Sequence, residues 1–143
     1  MEIADFSNEH LEAIVNIENE SFSRPWTEDM FLSSAANGVI NFKVAVENGE
    51  TAGFCIFWIV GGETEILNIA VAPKFRRRML GKQLLDYICQ SARQHKSHAV
   101  FLEVRQSNVP AIKLYASGGF EKIGIRKKYY IDEDAIVLRK NIK

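Results

Sequence analysis

Five cations surround a glycine in one short segment of the sequence. The segment starts at Val71 and reads VAPKFRRRMLGKQLL, and the hydrophobic spacing of its second half is typical of a helix. The first turn of a helix presents unbonded N–H groups and a partial positive charge, which bind phosphate, and Gly81 lets an anion approach the backbone closely. The alternative is an ordinary solvated basic loop. The five cations are Lys74, Arg76, Arg77, Arg78 and Lys82.

An acidic residue interrupts an apolar segment near position 100. Residues 100–104 read VFLEV, and burial of the Glu103 carboxylate among such neighbours is unfavourable without a partner. At a strand end that faces a cleft, this carboxylate could accept a proton from an ammonium group and so act as a general base. The structural alternative is a salt bridge, with Arg105 as the partner.

Two polar residues accompany the helical pattern that follows this segment. Tyr115 is in register with Ile112, which turns its ring inward, and its phenol keeps a proton at neutral pH that it could donate to a leaving group. Asn108, just before the helix, could bind an extended ligand through its amide. The alternatives are a core tyrosine with one satisfied hydroxyl group and an asparagine that caps the helix.

Aromatic and acidic residues at two other places could form the walls of a peptide pocket. Glu18 lies on the apolar side of the first predicted helix, and Phe22 and Trp26 follow it in the direction of a loop. Tyr129 and Tyr130, at the end of a predicted strand, could form the opposite wall and offer hydroxyl groups to a peptide backbone. Alternatively, these two tyrosines cover the edge of a sheet.

Hydrophobic patterns predict the elements that must position these residues. Alternation and short apolar runs predict strands at residues 3–6, 42–47, 51–60, 65–71, 100–104, 120–130 and 135–139. Helical spacing predicts helices at residues 8–22, 28–36, 80–95 and 110–117, and Thr27 is a suitable N-cap for the second of them. The pair Asn48-Gly49 is a strong hairpin signal because both residues tolerate positive φ.

The resulting order, βααβββαβαββ, indicates an α/β fold in a single domain that covers residues 1–143. Hairpins at the start and strand-helix-strand units in the middle require a mixed sheet of about seven strands, with helices on both faces. We expect ligands to bind near the strand ends of such a sheet.

The composition excludes several classes of function. Of 143 residues, 47% are hydrophobic, and 18 basic residues balance 18 acidic ones. A chain without net charge has no overall field that would draw it to nucleic acid or an anionic membrane. Neither Cys55 nor Cys89 has metal-ligand spacing, so no metal is expected. Because the longest apolar run is too short to span a bilayer and no signal pattern begins the chain, we expect a cytoplasmic protein.

Two long segments resemble the GNAT superfamily of acetyltransferases. LNIAVAPKFRRRMLGKQLL, from residue 67, resembles the acyl-CoA-binding motif of that superfamily, and LEVRQSNVPAIKLYASGGF, from residue 102, resembles the strand and helix that follow the motif. Nearly the whole chain is also similar to the bacterial enzymes that acetylate the N-terminal alanine of a ribosomal protein. The segments IENESFSRPWTEDMF and RKKYY contribute to that second resemblance.

The resemblance implies a role for each candidate residue. Glu103 would be the general base, Tyr115 would be the general acid, and Asn108 would contact acetyl-CoA, the acetyl donor. The backbone groups that bind the pantetheine arm would belong to Ile69, Ala70 and Val71. The segment that holds the pyrophosphate would consist of Arg76, Arg77, Arg78, Met79, Leu80, Gly81 and Lys82.

Met79 departs from the family pattern. The loop of the family usually reads Q/R-x-x-G-x-G/A, and Arg76 and Gly81 fit it, whereas Met79 takes the place of the first glycine. A side chain there could restrict the loop or the approach of the cofactor. If Met79 needs no positive φ, the neighbouring amides could still face the phosphates.

The sequence leaves three functions open. The first is acetyl transfer to the N-terminal amine of a protein, with a ribosomal protein as the partner and Glu18, Phe22, Trp26, Tyr129 and Tyr130 around the acceptor. The second is acetylation of a lysine side chain or a small amine. The third is a non-catalytic acyl-CoA sensor or protein-binding module, which the replacement at Met79 motivates. The absence of net charge and of interleaved aromatic residues disfavours nucleic-acid binding by the arginine run.

Overall fold

Seven strands and four α-helices make up the part of the chain that the structure describes. The structure is a computed structural model that describes residues 1–76 and 78–142. The strands are β1 Glu2–Asp5, β2 Ile40–Glu47, β3 Glu50–Val60, β4 Glu63–Val71, β5 Ala99–Arg105, β6 Glu121–Tyr130 and β7 Glu133–Asn141. The helices are α1 Leu11–Ser21, α2 Glu28–Ala36, α3 Leu80–Gln94 and α4 Val109–Ser117. The predicted order is confirmed, and two short 3-10 turns, Asn8–His10 and Pro73–Phe75, add to it.

The strands form a mixed sheet with the order β1-β2-β3-β4-β5-β7-β6. The pairs β2–β3 and β6–β7, which tight turns connect, are antiparallel. The pair β4–β5 is parallel, because α3 provides the long crossover that a parallel pair needs. These pairings confirm the predicted α/β fold with a mixed sheet.

The contacts between residues divide the chain into two compact units. The first unit comprises Met1–Trp58 and Leu67–Leu84. The second unit comprises Ile59–Ile66 and the chain from Leu85 onwards. That the whole chain forms a single domain therefore stays a prediction.

Aromatic and aliphatic residues fill the core of the first unit. Ile14 and Ile17 face this core from α1, and Phe42 and Phe54 face it from β2 and β3. The rings of Phe31 and Phe54 meet edge to face, with their centroids 5.5 Å apart, which is a geometry that aromatic pairs prefer. Burial of each such side chain contributes about 1.5–3 kcal/mol, so this core holds α1 and α2 against the strands.

Cap and turn residues of the first unit behave as their types predict. The Thr27 hydroxyl oxygen accepts a hydrogen bond of 3.3 Å from the Met30 N–H, which confirms the predicted N-cap of α2. Asn48 and Gly49 have φ values of 49° and 79° and form the predicted turn between β2 and β3. Both residues therefore occupy the left-handed region that such hairpin turns require.

The second unit is built around β5. Its parallel ladder with β4 runs from Glu63↔Ala99 to Ile66↔Leu102, and β7 pairs with the whole length of β5 on the other side. Strand β6 follows β7 and ends the sheet. Strand β5 thus lies between two neighbours, which explains its apolar sequence.

The described ranges contain two free cysteines and no cluster of metal-ligand side chains. Cys55 and Cys89 are buried and form no disulfide, as expected of core residues. Burial raises the pKa of the Cys55 thiol to about 12, so this thiol is unreactive near neutrality. Within residues 1–76 and 78–142, no group of three or more His, Cys, Asp or Glu residues could hold a metal ion, and no helix could span a membrane.

Gly53 lies in β3 where another backbone approaches it closely. A Cβ atom at this position would lie 2.7 Å from the Ala70 carbonyl oxygen and 3.3 Å from the Val71 Cα atom. Because a methyl group does not fit without backbone movement, we expect Gly53→Ala to lower the free energy of unfolding by about 1–3 kcal/mol. Urea denaturation measures this change.

Gly124→Ala is the matched control, because Gly124 also lies in a strand but has no atom within 4 Å of its Cβ position. We expect this variant to stay within about 0.5 kcal/mol of the parent protein. A Gly53→Ala variant as stable as the parent would mean that the two backbones separate at no cost.

Candidate active site

The predicted phosphate-binding segment enters α3 through a residue in the left-handed conformation. Met79 has a φ of 61° although it is not glycine, and its side chain is 63% exposed. The condition that Met79 needs no positive φ is therefore not met, because this φ lies in the left-handed region that favours glycine. Leu80 is buried at the start of α3, and Gly81 and Lys82 complete its first turn. Arg77, also a predicted phosphate contact, lies outside the described residues.

Arg76 and Arg78 of this segment also have partners inside the protein. Nε of Arg76 donates a hydrogen bond of 3.1 Å to the Val71 carbonyl oxygen, and Nη2 donates one of 3.1 Å to the Ser21 hydroxyl oxygen. The Arg78 guanidinium group lies 5.5 Å from the centre of the Phe75 ring. Arg76 thus links the end of β4 to the end of α1.

The predicted pantetheine contacts occupy the last residues of β4. Ile69 and Val71 are half-buried, and Ala70 is buried. All three follow Ile66, where the parallel ladder between β4 and β5 ends. Beyond the end of this ladder, the backbone N–H and C=O groups of β4 on its β5 side are groups that an extended ligand can bind.

The carboxylate of Glu103 has two partners from β6. Its Oε1 lies 3.3 Å from Nε of Arg126, and the Glu103 side chain is 14% exposed. The Tyr129 hydroxyl group is hydrogen-bonded to the same carboxylate, and this bond, with burial and the carboxylate charge, raises the pKa of Tyr129 to about 12. Glu103 therefore presents a carboxylate that a cation already recognises.

Arg105 is not the partner of Glu103, so this part of the sequence-based alternative is wrong. Its Nη1 pairs with Asp132 at 2.7 Å and with Glu133 at 3.1 Å, near the turn between β6 and β7. The same guanidinium group lies 4.3 Å from the centre of the Tyr130 ring. The Tyr130 hydroxyl group donates a hydrogen bond of 3.3 Å to the Glu103 carbonyl oxygen, so Tyr130 is attached to β5.

Tyr115 lies on the buried side of α4. Its side chain is 6% exposed, and its ring centroid is 5.9 Å from that of Phe120. Burial raises the pKa of Tyr115 well above its usual value, and the proximity of Tyr130 raises it further. The phenol therefore keeps its proton over the whole neutral range, as a general acid must before it reacts.

Asn108 caps α4. Its side-chain oxygen accepts a hydrogen bond of 3.3 Å from the Ala111 N–H. The capping alternative is thus confirmed, whereas contact between Asn108 and the cofactor stays a prediction. An asparagine amide that caps through its oxygen still has N–H groups to donate.

Glu18 is almost entirely buried at 2% exposure. Its Oε2 accepts a hydrogen bond of 2.9 Å from the Trp26 N–H, and its Oε1 accepts one of 2.8 Å from the Asn68 side-chain amide. Burial raises the pKa of this carboxyl group, although both hydrogen bonds act in the opposite direction. Phe22 and the Trp26 ring are half-buried against the core of the first unit.

The structure brings the predicted site residues together in two groups. In the first unit, Glu18 contacts Trp26, and in the second unit, Glu103 contacts Tyr129 and Tyr130. The sequence patterns did not point to two further polar residues, Asn68 and Arg126. Asn68 interrupts the apolar run ILNIAV just as Glu103 interrupts its own, so the same signal could have found it. Arg126 carries no such signal, because it is one of several cations in β6.

A sequence profile described as the Acetyltransferase (GNAT) family matches residues 11–120. The chain belongs to the GNAT acetyltransferase family. Over 140 residues, this GNAT chain is 36% identical to the ribosomal protein bS18-alanine N-acetyltransferase of Escherichia coli. The aligned region covers 95% of this chain and 94% of that protein. GNAT acetyltransferases use acetyl-CoA, so the chain is an acetyl-CoA-dependent N-acetyltransferase.

Solved structures share the GNAT fold of this chain. The crystal structure of the Escherichia coli ribosomal-protein alanine N-acetyltransferase has a TM-score of 0.89 and 34% identity, and the match covers 99% of this chain and 94% of that one. The crystal structure of Ard1 from Thermoplasma volcanium has a TM-score of 0.92 and 27% identity, with coverage of 99% and 97%. The predicted GNAT fold is confirmed.

The left-handed conformation of Met79 predicts an unusual order of stability. We expect Met79→Gly to be more stable than Met79→Ala by about 1 kcal/mol, because only alanine keeps the Cβ atom that is strained at this φ. At an ordinary exposed position glycine is the less stable of the two. Thermal unfolding of both variants measures the difference, and a more stable alanine variant would contradict the left-handed conformation in solution.

The raised pKa of Tyr115 predicts a loss of stability in alkali. Unfolding returns this phenol to its ordinary pKa of about 10, so above that pH the unfolded chain holds fewer protons than the folded one. The free energy of unfolding should therefore fall as the pH rises through 10 and beyond, to a smaller extent in Tyr115→Phe. Urea denaturation at about pH 9 and about pH 11 tests this, and equal losses in both proteins would contradict it.

Proposed function

We propose that this GNAT enzyme transfers the acetyl group of acetyl-CoA to the N-terminal α-amine of a protein, and that the acceptor is the N-terminal alanine of a ribosomal protein. The observation that carries the proposal is 36% identity over 95% of the chain to an enzyme named for the alanine of ribosomal protein bS18. Glu103 of the second unit supports it, because a carboxylate that binds the Arg126 guanidinium group can also bind an ammonium group.

The residues at the start of α3 suit the pyrophosphate of acetyl-CoA. The first-turn amides of a helix have no partner within the helix, and here they belong to Leu80, Gly81 and Lys82. Met79 is exposed, and the loop backbone takes the left-handed conformation despite this side chain. Further attraction comes from the cations of the segment, Lys74, Arg76, Arg77, Arg78 and Lys82.

Backbone groups of Ile69, Ala70 and Val71 hold the pantetheine arm in this proposal, and the Asn108 amide contributes a further contact. The same stretch of β4 can offer an N–H group to the carbonyl oxygen on which negative charge develops. Acetyl-CoA supplies the acetyl group as a thioester, from which CoA leaves as a thiolate. No covalent intermediate with the protein is needed, because the amine itself is the nucleophile.

Glu103 is the general base of the proposed reaction. The acceptor enters as an ammonium group, and it must lose a proton before its nitrogen can attack a carbonyl carbon. The carboxylate of Glu103 takes that proton, directly or through water. Arg126, which holds the carboxylate in the structure, has a side chain that is 59% exposed, so an incoming ammonium group replaces it at little cost.

Tyr115 is the general acid of the proposed reaction. A leaving thiolate needs a proton donor that is still protonated at neutral pH, and the buried phenol meets that requirement. As the amide forms, the nitrogen loses its second proton, and the phenolate left by donation takes up that proton or one from solvent before the next cycle. In this proposal Glu103 removes a proton from the acceptor amine, and Tyr115 supplies a proton to the leaving thiolate.

The proposed acceptor contacts are aromatic residues from each of the two units. Phe22 and Trp26 offer apolar surface beside the start of α2, and Glu18 lies behind the Trp26 backbone. Tyr129 and Tyr130 lie at the end of β6, where their hydroxyl groups bond to Glu103. Aromatic rings with polar tips suit a short peptide because they contact both its side chains and its backbone.

Two substitutions test the assigned roles. Glu103→Gln and Tyr115→Phe keep the side-chain shapes but remove the base and the acid, so kcat should fall by about 10²–10⁴-fold. The measurement is CoA release with a short peptide that begins with alanine, and circular dichroism and acetyl-CoA binding verify the fold. The matched controls are Glu121→Gln and Tyr87→Phe, which change the same residue types at positions without an assigned role.

The position of the amine that becomes acetylated distinguishes the proposal from its alternatives. A twin peptide with a blocked N-terminus and an internal lysine should give no CoA release, and mass mapping should locate the product on the α-amine. Acetylation of the blocked twin would favour a lysine acetyltransferase. Acetyl-CoA binding without CoA release over a panel of peptides and amines would favour an acyl-CoA sensor. Normal turnover by Glu103→Gln and Tyr115→Phe would contradict the roles assigned to these two residues.

A further inference from the structure

The buried carboxylate of Glu18 has no evident purpose in the packing of α1. Ile14 and Ile17 precede it on the buried side of the helix, and an apolar residue would cover the same core without the loss of hydration that a carboxylate suffers. Both of its oxygens are occupied by donors of the protein itself. A direct contact with a substrate would therefore require one of these bonds to break.

The two hydrogen bonds of Glu18 connect three parts of the first unit. The carboxylate belongs to α1, the Trp26 N–H belongs to the loop before α2, and the Asn68 amide belongs to β4. Asn68 directly precedes Ile69, the first of the three proposed pantetheine contacts. One side chain thus fixes a proposed acceptor segment relative to a proposed donor segment.

A second connection joins the same helix to the same strand. Arg76 donates to the carbonyl oxygen of Val71 and to the hydroxyl oxygen of Ser21, the last residue of α1. The Ser21 hydroxyl group in turn donates to the Ile17 carbonyl oxygen at 2.6 Å. The C-terminal half of α1 is therefore attached to the last residues of β4 at two points, and only the Glu18 connection also includes the loop.

We infer that Glu18 is a positioning residue, which sets the Phe22–Trp26 loop against the Asn68–Val71 segment of β4 and so aligns acceptor with donor. The inference rests on the proposed function. Glu18 acts through the Trp26 N–H and the Asn68 amide, without contact to either substrate. Because a misplacement of about 1 Å can reduce the rate of a bimolecular reaction by about 10²-fold, an alignment of this kind affects turnover more than stability.

The test compares an apolar and a polar replacement of similar length. Glu18→Met cannot accept a hydrogen bond, so the Trp26 N–H loses its partner and kcat/KM for the peptide should fall by about 10–100-fold. Glu18→Gln keeps an acceptor for the Trp26 N–H, and its amide nitrogen can donate to the Asn68 side-chain oxygen once the Asn68 amide turns over, so kcat/KM should return to within about threefold of the parent. The dissociation constant of acetyl-CoA should change by less than about threefold in both variants, because the start of α3 is unaltered.

A matched control separates alignment from general loss of stability. Thr64→Val removes the buried hydrogen bond of 2.9 Å between Thr64 and Ser97 in the second unit. We expect it to lower the melting temperature as Glu18→Met does but to leave kcat/KM for the peptide unchanged. If Glu18→Met lowers only the melting temperature, or if Glu18→Gln is as impaired as Glu18→Met, the positioning role is wrong.

A measurement without an acceptor keeps the inference independent of the proposed function. In a Trp58→Phe background, Trp26 is the remaining tryptophan, and its quenching by acrylamide reports the exposure of the loop. Glu18→Met should increase this quenching, whereas Glu18→Gln and Thr64→Val should not. If the parent acetylates no peptide, the proposed function fails while the quenching still decides whether Glu18 holds the loop, and unchanged quenching overturns the inference.

A second variant covers the case in which Glu18→Met does not fold. Asn68→Ala removes the strand end of the same connection and leaves the Glu18 carboxylate in place. We expect this variant to show the same fall in kcat/KM for the peptide, and a value equal to that of the parent would overturn the inference.

Discussion

A side-chain amide on the buried face of a strand needs a hydrogen-bond partner, and much of the first unit depends on the partner of Asn68. Side chains alternate along β4, so Asn68 shares its buried face with Ile66 and Ala70. An unsatisfied amide at such a place costs about 1–3 kcal/mol. The Glu18 carboxylate satisfies it and also accepts the N–H of Trp26. A helix, a loop and a strand are thereby fixed by one group, which no apolar side chain could do.

The entry into α3 is governed by two buried anchors. Phe75 and Leu80 are 5% and 3% exposed, and the chain between them has to turn from the end of β4 into the helix. Met79 takes the left-handed conformation at this turn, where glycine would be unstrained. The packing of the two anchors offsets the strain, since strained residues persist where their surroundings determine them. The first amides of α3 are thereby left without partners inside the helix.

The proposed base and acid require opposite environments, and the second unit provides both. Glu103 is only partly buried and has Arg126 and Tyr129 as partners, which suits a carboxylate that must exchange one cation for another. Tyr115 is buried, which disfavours its phenolate and keeps the phenol protonated over the neutral range. The difference in burial thus separates the two roles.

The sequence by itself determined the order of strands and helices, the hairpin turn at Asn48-Gly49, the N-cap at Thr27 and, through long matching segments, the GNAT family. Each of these depends on residues that are near neighbours in the chain, so local spacing contains the information. Local spacing does not contain the partners of Glu18 and Glu103, because Asn68 is 50 residues from Glu18 and Arg126 reaches Glu103 from another strand. Only the tertiary structure decided those pairs and the positive φ of Met79, since strand register, the bulge after Arg126 and loop closure are properties of the assembled chain.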